Sequence, residues 1–195
     1  MQNIAIFASG SGTNAENLIN FFKEKSSLAN IIFVLTNNKN AGVINRCKKL
    51  AVPVFLMNNS NFEYPNSLIQ LLKKNEIDWI VLAGFLRKIN PNLIEAFPNR
   101  IINIHPSLLP NYGGKGMYGH HVHEAVIAAG ENESGISIHF VNQNYDEGAI
   151  VFQAKCAIEI NETAETLAAK IHNLEKIHFP RVMEQLLQNE TSHNK

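Results

Sequence analysis

Short apolar runs alternate along the chain with longer segments in which apolar residues recur at helical spacing. We predict seven strands from the apolar runs, at residues 3–7, 30–35, 53–56, 78–83, 100–104, 135–141 and about 149–158. The helical spacing predicts helices near 13–24, 41–50 and 62–74. Apolar strands separated by helices are typical of a parallel sheet covered on both faces. We therefore predict an α/β fold of three layers, with a mostly parallel twisted sheet of about seven strands and a Rossmann-like N-terminal half.

The chain shows no internal repeat and no low-complexity tract that suggests a linker. Its 195 residues, 45% of them hydrophobic, can fill one sizeable core. We therefore expect a single domain over residues 1–195.

Charge and hydropathy exclude several classes of partner. The 17 Lys and Arg residues balance 17 Asp and Glu, so nothing favours a nucleic acid. The longest apolar run, WIVLAGFL at 79–86, is too short to span a membrane, and the first residues do not form a secretory signal. Cys47 and Cys156 lack the spacing of a zinc site or a disulfide framework. We expect a cytoplasmic protein without nucleic-acid or membrane partners.

The stretch ASGSGTN at residues 8–14 lies between a predicted strand and a predicted helix. The N-terminus of a helix offers free backbone N–H groups to an anion, and Ser11, Gly12, Thr13 and Asn14 suit a phosphate. The spacing also satisfies a loose dinucleotide fingerprint, but no carboxylate that could hold a ribose lies between residues 24 and 63. A glycine turn without a ligand is the alternative.

The stretch RIINIHPSLLPNY at residues 100–112 begins as a buried strand and becomes polar. Because side chains alternate across a strand, Asn103 and His105 point to the same side, and Pro106 ends the strand there. An amide N–H can stabilise an oxyanion and an imidazole can move a proton, so the pair suggests attack on a carbonyl. Alternatively, Asn103 caps a turn and His105 packs against the loop.

Asp146 lies in the polar turn between the last two predicted strands. If the strand ends are neighbours, its carboxylate reaches His105, fixes the tautomer of the ring and raises its pKa. An ordinary turn residue is the alternative. The histidines at 120, 121 and 123 lack the spacing of a metal site, and we expect no metal.

Four segments in this order, SGSGTN, LAGFLRKI, NIHPSLLP and GISIHFVNQNYDEGAI, resemble the phosphoribosylglycinamide formyltransferase family of folate-dependent enzymes in purine synthesis. The resemblance extends from residue 3 to about 187. It implies transfer of a formyl group from the co-substrate 10-formyltetrahydrofolate to the primary amine of glycinamide ribonucleotide, without a metal, by a monomer or homodimer. The implied catalytic residues are Asn103, His105 and Asp146.

The resemblance also assigns binding residues. Residues of about 1–100 form the half that binds the nucleotide phosphate, through Ser11, Gly12, Thr13 and Asn14, and about 101–190 form the catalytic and folate-binding half. Glu175 helps to bind the sugar or glycinamide part; without the resemblance it reads as a solvated helix carboxylate. The implied folate-binding residues are Leu86, Arg87, Lys88, Ile89, Asn103, Val141, Asn144 and Asp146.

The implied mechanism is direct attack of the amine on the formyl carbon. Asn103 and a protonated His105 stabilise the oxyanion of the tetrahedral intermediate, and Asp146 keeps His105 charged.

Two segments depart from the family pattern. Residues 112–120 form a longer glycine-rich insertion with Lys115 and Tyr118, which is either a mobile lid or a plain surface loop. No arginine lies between residues 51 and 86 to meet the glutamate tail of the folate, and Lys73 or Lys74 could substitute for it.

Three other functions fit part of the pattern. Methionyl-tRNA formyltransferase and formyltetrahydrofolate hydrolase share the same three catalytic residues, but the first is expected to carry a C-terminal tRNA-binding domain and the second an N-terminal regulatory domain. A nucleotide-binding module without catalysis is the alternative from a different class.

Overall fold

A seven-stranded sheet organises the computed structural model, which describes residues 1–193. In space the strands follow the order β3-β2-β1-β4-β5-β6-β7. Their bounds are Gln2–Phe7 (β1), Ala29–Thr36 (β2), Val54–Leu56 (β3), Trp79–Leu82 (β4), Ile101–His105 (β5), Glu133–Phe140 (β6) and Ile150–Ala157 (β7). The first five strands are parallel to one another, and β6 and β7 are antiparallel to their neighbours. The predicted mostly parallel α/β sheet is confirmed.

Helices cover both faces of the sheet. Their bounds are Thr13–Glu24 (α1), Gly42–Leu50 (α2), Asn59–Glu63 (α3), Asn66–Lys74 (α4), Pro91–Ala96 (α5), His120–Ala128 (α6) and Ala164–His193 (α7). One core contains apolar residues of α1, α2, α6 and α7, and the other contains those of α3, α4 and α5. The three-layer arrangement follows from this division.

Alternation along the strands feeds both cores. In β1, Ile4 and Ile6 pack on the α1 and α7 side, whereas Ala5 and Phe7 pack on the opposite side. All four are buried, so neither face of the strand can carry polar residues. This explains why the strands of the parallel part read as continuous apolar runs.

The prediction of one helix over 62–74 is wrong. The segment forms two helices, because Pro65 lacks a backbone N–H and disfavours the helical conformation of the preceding Tyr64. Tyr64 accordingly has φ −121° and ψ 79°. The helices α5 and α6 were not predicted from the sequence.

The sheet register lines up the residues that position the site. Phe7 pairs with Leu82, Leu82 with Asn103, and Asn103 with His139, so these four form one row across β1, β4, β5 and β6. The row lies where β1 and β4 end, and β5 continues two residues further to His105. Ligands of open α/β sheets bind at this carboxyl edge.

Within residues 1–193, no helix combines the length and the apolar character that crossing a membrane requires.

Gly135 in β6 allows β7 to approach closely, and we predict that Gly135→Ala destabilises the protein. A Cβ at this position would lie 2.0 Å from the carbonyl oxygen of Ala154, which belongs to the paired backbone and cannot move aside. We expect a loss of about 1–3 kcal/mol in the free energy of unfolding, measured by urea denaturation. Gly10→Ala is the matched control, because its Cβ would meet nothing within 4 Å. Equal unfolding midpoints for the two variants would contradict the prediction.

Candidate active site

A cavity of about 570 Å³ opens at the carboxyl edge of the sheet. The residues assigned to a site from the sequence all line it: Ser11, Gly12, Thr13, Asn14, Leu86, Arg87, Lys88, Ile89, Asn103, His105, Val141, Asn144, Asp146 and Glu175. One cavity therefore joins the glycine-rich turn, the end of β5 and the loop between β6 and β7. Its size is in the range of small-molecule sites.

The glycine-rich turn presents an open helix N-terminus to this cavity. Gly12 is the residue before α1, has φ 78° and provides no side-chain cap. A Cβ on Gly12 would lie 2.5 Å from that of Val43, so both the backbone angle and the space require glycine. The first N–H groups of α1 thus remain available to an anion.

Ser9, which the sequence analysis did not single out, connects two walls of the site. Its buried hydroxyl donates to Asn37 Oδ1 at 2.7 Å and accepts from the Leu86 N–H at 3.1 Å. Its own N–H donates to the Gly84 carbonyl at 3.0 Å. The glycine-rich turn and the segment that follows β4 are thereby held together.

Glu175 is buried in α7, with only 7% of its surface exposed, and accepts a hydrogen bond from Asn14 Nδ2 at 2.9 Å. The alternative of a solvated helix carboxylate is wrong. Burial raises the pKa of Glu175, although Asn14 and His172 oppose the rise. Glu175 and the start of α1 therefore form one polar end of the cavity.

Asn103 faces His139 across the β5–β6 pair. His139 Nδ1 lies 2.8 Å from the Phe140 carbonyl and must donate to it, so the Nε2 of the neutral ring is an acceptor. Asn103 Nδ2 donates to this Nε2 at 3.1 Å and makes a longer contact of 3.4 Å with Asp146 Oδ1. The second amide hydrogen of Asn103 therefore makes only a weak hydrogen bond and is available to donate to another acceptor.

His105 is held at the end of β5 in one tautomer. Its Nε2 lies 2.8 Å from the Tyr112 carbonyl, which can only accept, so Nε2 carries the hydrogen. Its Nδ1 faces Asp146 Oδ2 at 3.7 Å, which is too long for a hydrogen bond but close enough for a charge to act. In the neutral ring, the free lone pair of Nδ1 therefore faces the carboxylate.

Burial decides the charge of His105. Burial lowers the pKa of the ring by more than Asp146 and the Tyr112 carbonyl raise it. The pKa of His105 therefore lies below the ordinary 6.5. The Asp146 carboxylate favours the charged ring, as the sequence suggests, but in the resting protein burial outweighs it. Burial alone would raise the pKa of Asp146, but contacts with His139, His105 and the Gly114 N–H lower it below its ordinary value. The resting pair is a neutral imidazole beside a carboxylate.

A buried serine fixes the turn that follows His105. Ser137, which pairs with His105 in the sheet, donates through Oγ to the Ser107 carbonyl at 2.7 Å and accepts from the Leu109 N–H at 2.9 Å. Gln153 Nε2 donates to the same Oγ at 2.8 Å. These contacts pin the turn to the sheet.

The glycine-rich insertion lines the cavity. Lys115 and Tyr118 are among its lining residues, and both are also exposed to solvent. Lys73 and Lys74 do not line the cavity. The cations that do are Arg87, Lys88 and Lys115, and Lys88 Nζ lies 5.4 Å from the ring centre of Tyr145.

The histidines at 120, 121 and 123 lie in different environments. His120 and His121 are exposed and contact Glu124, whereas His123 is buried and lines the cavity. Burial and the neighbouring His172 lower the pKa of His123 to about 4. Among residues 1–193, no three His, Cys, Asp or Glu side chains are grouped so that they could hold a metal ion.

The family model described as formyl transferase matches residues 2–183. This chain belongs to the formyl transferase family. A chloroplastic phosphoribosylglycinamide formyltransferase of Vigna unguiculata is 40% identical over 187 residues, which are 94% of this chain and 60% of that protein. A phosphoribosylglycinamide formyltransferase of Bacillus subtilis (strain 168) is 34% identical over 191 residues, which are 96% of this chain and 95% of that protein.

A solved structure of phosphoribosylglycinamide formyltransferase from Bacillus halodurans superposes with a TM-score of 0.85 at 36% identity. The superposition covers 95% of each chain. Among the formyl transferases, the chloroplastic relatives are longer, and this chain spans about 60% of their length.

We predict that His105 titrates below its ordinary pKa of about 6.5 and that Asp146→Asn lowers the pKa further. The carboxylate favours the charged ring, and its removal leaves burial and His139 to oppose that charge. The measurement is an NMR titration of the ring protons, with His105→Ala to assign the signal. A His105 pKa above 6.5, or one that rises in Asp146→Asn, would contradict the prediction.

Proposed function

We propose that this chain transfers the formyl group of 10-formyltetrahydrofolate to the primary amine of glycinamide ribonucleotide. The observation that carries the proposal is a single cavity that joins an open helix N-terminus to Asn103, His105 and Asp146. Membership of the formyl transferase family and the names of the relatives support the same reaction.

The two ends of the cavity suit the two substrates. The backbone N–H groups at Ser11 to Asn14 bind the phosphate of the ribonucleotide, and Glu175 lies where it can accept hydrogen bonds from the sugar hydroxyls or the glycinamide amine. The folate binds between residues 86–89 and 141–144, with Asn103 and Asp146 at its reactive end. The nucleophile and the formyl group then meet beside His105.

The reaction forms a bond from the amine nitrogen to the formyl carbon, turns the formyl oxygen into an oxyanion, and then breaks the bond to the folate nitrogen, which gains a proton. Asn103 stabilises the oxyanion through the amide hydrogen that makes the long contact with Asp146 at rest. His139 holds the other amide hydrogen and so keeps the group aimed at the cavity.

His105 acts first as a base and then as an acid. Its neutral Nδ1 accepts the proton that the amine loses on attack, and the nearby Asp146 carboxylate and the oxyanion then stabilise the imidazolium so formed. Asp146 favours the charged ring throughout, and the oxyanion adds to this only at this stage, so together they offset the burial that opposes the charge. The proton then passes to the leaving nitrogen, directly or through a water.

All the side chains that line the cavity belong to a single chain. A monomer therefore contains the whole site, and a homodimer would contain two such sites. Cys47 and Cys156 are free thiols, as expected for a protein that works in the reducing cytoplasm.

The first test is release of tetrahydrofolate from 10-formyltetrahydrofolate, with and without glycinamide ribonucleotide. We expect turnover that requires the ribonucleotide and falls roughly 100-fold or more in Asn103→Ala, His105→Ala and Asp146→Ala. His121→Ala is the matched control for the histidine variant, because His121 is exposed and does not line the cavity.

Other outcomes of this test identify the alternatives. Turnover without any amine substrate would indicate a hydrolase. A further assay with methionyl-tRNA as the only amine substrate would identify the tRNA enzyme if turnover occurs there alone. Phosphate binding by folded protein without turnover would indicate a binding module.

The pH dependence tests the resting charge of His105. A primary α-amine has a pKa of about 7.7–8.0, and only its neutral form can attack the formyl carbon. The measured kcat/KM is therefore first divided by the fraction of neutral amine at each pH. The corrected value should be level near pH 7 and fall with decreasing pH as His105 becomes protonated, with an apparent pKa below 6.5 because burial lowers the pKa of the ring. A corrected rate that rises as the pH falls would contradict a neutral base.

A further inference from the structure

The backbone of the glycine-rich insertion contacts both His105 and Asp146. The Tyr112 carbonyl accepts from His105 Nε2 at 2.8 Å, and the Gly114 N–H donates to Asp146 Oδ2 at 2.9 Å. The two backbone groups are only two residues apart. The placement of residues 112–114 therefore sets both the tautomer of the histidine and the direction of the carboxylate.

Residues 112–114 adopt a conformation that needs support. Tyr112 has φ 56°, in the left-handed region that is unfavourable for a residue with a side chain, and Gly114 has φ 93°. Gly113 packs so closely that an added Cβ would lie 2.6 Å from Leu109 Cδ2 and 3.3 Å from Asp146 Cβ. Strained backbone next to reacting groups persists only where neighbouring contacts hold it.

A side-chain hydrogen bond provides such a contact. Tyr112 Oη donates to Glu131 Oε1 at 2.7 Å, and Glu131 follows the end of α6. The hydrogen bond to Glu131 is also the main reason why the pKa of Tyr112 is raised. This hydrogen bond connects residues 112–114 to the turn after α6, which contains none of the proposed catalytic residues.

We propose that Tyr112 and Glu131 are positioning residues, whose hydrogen bond holds residues 112–114 so that their backbone keeps His105 in the Nε2–H tautomer and turns Asp146 toward Nδ1. Neither side chain takes part in the reaction. The rate readout of this proposal rests on the proposed transferase function, whereas the titration of His105 does not.

The test is a double-mutant cycle. Tyr112→Phe and Glu131→Ala should each lower kcat roughly 5- to 20-fold and change KM for either substrate less than about twofold, because binding surfaces stay intact. Tyr112→Phe/Glu131→Ala should lose no more than either single variant, since both remove the same contact. Glu131→Gln keeps an acceptor oxygen and should stay within about twofold of wild type.

The ring of His105 gives the second readout. Loss of the Tyr112 carbonyl contact removes an interaction that favours the charged ring, so the pKa of His105 in an NMR titration should fall in Tyr112→Phe and stay unchanged in Glu131→Gln. Tyr64→Phe and Glu133→Ala are the matched controls, because they make the same chemical changes away from the cavity. Tyr64 is 76% exposed, and Glu133 contacts Lys155 instead of residues 112–114. Both should behave as wild type.

Unchanged kcat together with an unchanged His105 titration in Tyr112→Phe would overturn the proposal. Additive losses in the double variant, or a lower kcat with an unaltered titration, would overturn it as well. If the wild type releases no tetrahydrofolate, the proposed function fails, and the titrations of Tyr112→Phe and Glu131→Gln still decide this proposal.

Discussion

The imidazole of His105 and the carboxylate of Asp146 face each other at 3.7 Å, and their side chains are only 5% and 13% exposed. Burial opposes a charge on the ring, while the carboxylate favours it, and burial prevails in the resting protein. A base that is neutral at rest and acquires a stabilised charge only after taking a proton is suited to attack by an amine. This balance depends on distances, so the neighbouring structure must hold both groups in place.

The sheet provides most of that support. The row of Phe7, Leu82, Asn103 and His139 brings Asn103 to the level at which β1 and β4 end. The loop that follows β6 brings the Asp146 carboxylate to 3.7 Å from His105 Nδ1 and 3.4 Å from Asn103 Nδ2.

The sequence predicts the parts of the site that follow from local rules. Alternation along β5 places Asn103 and His105 on one side, and the glycines after β1 predict an anion-binding turn. The same rules do not reveal His139, because its role depends on which strand pairs with β5. They also do not reveal that Glu175 is buried, since this depends on how α7 packs against α1.

The charge of His105 could not be predicted from sequence for a related reason. Proximity of Asp146 suggests a raised pKa, but the opposing effect of burial requires knowledge of everything that surrounds the ring. The tautomer depends on the Tyr112 carbonyl, which belongs to a segment with no regular structure. Likewise, the break between α3 and α4 at Pro65 is a local signal that the longer apolar periodicity of residues 62–74 conceals.

The most direct test is the nitrogen NMR spectrum of His105 in protein labelled with ¹⁵N at histidine, recorded near pH 7 and assigned with His105→Ala. The structure predicts a neutral ring that carries its hydrogen on Nε2, with an unprotonated Nδ1 beside Asp146. Two protonated nitrogens, or a hydrogen on Nδ1 alone, would contradict a resting base held by the Tyr112 carbonyl.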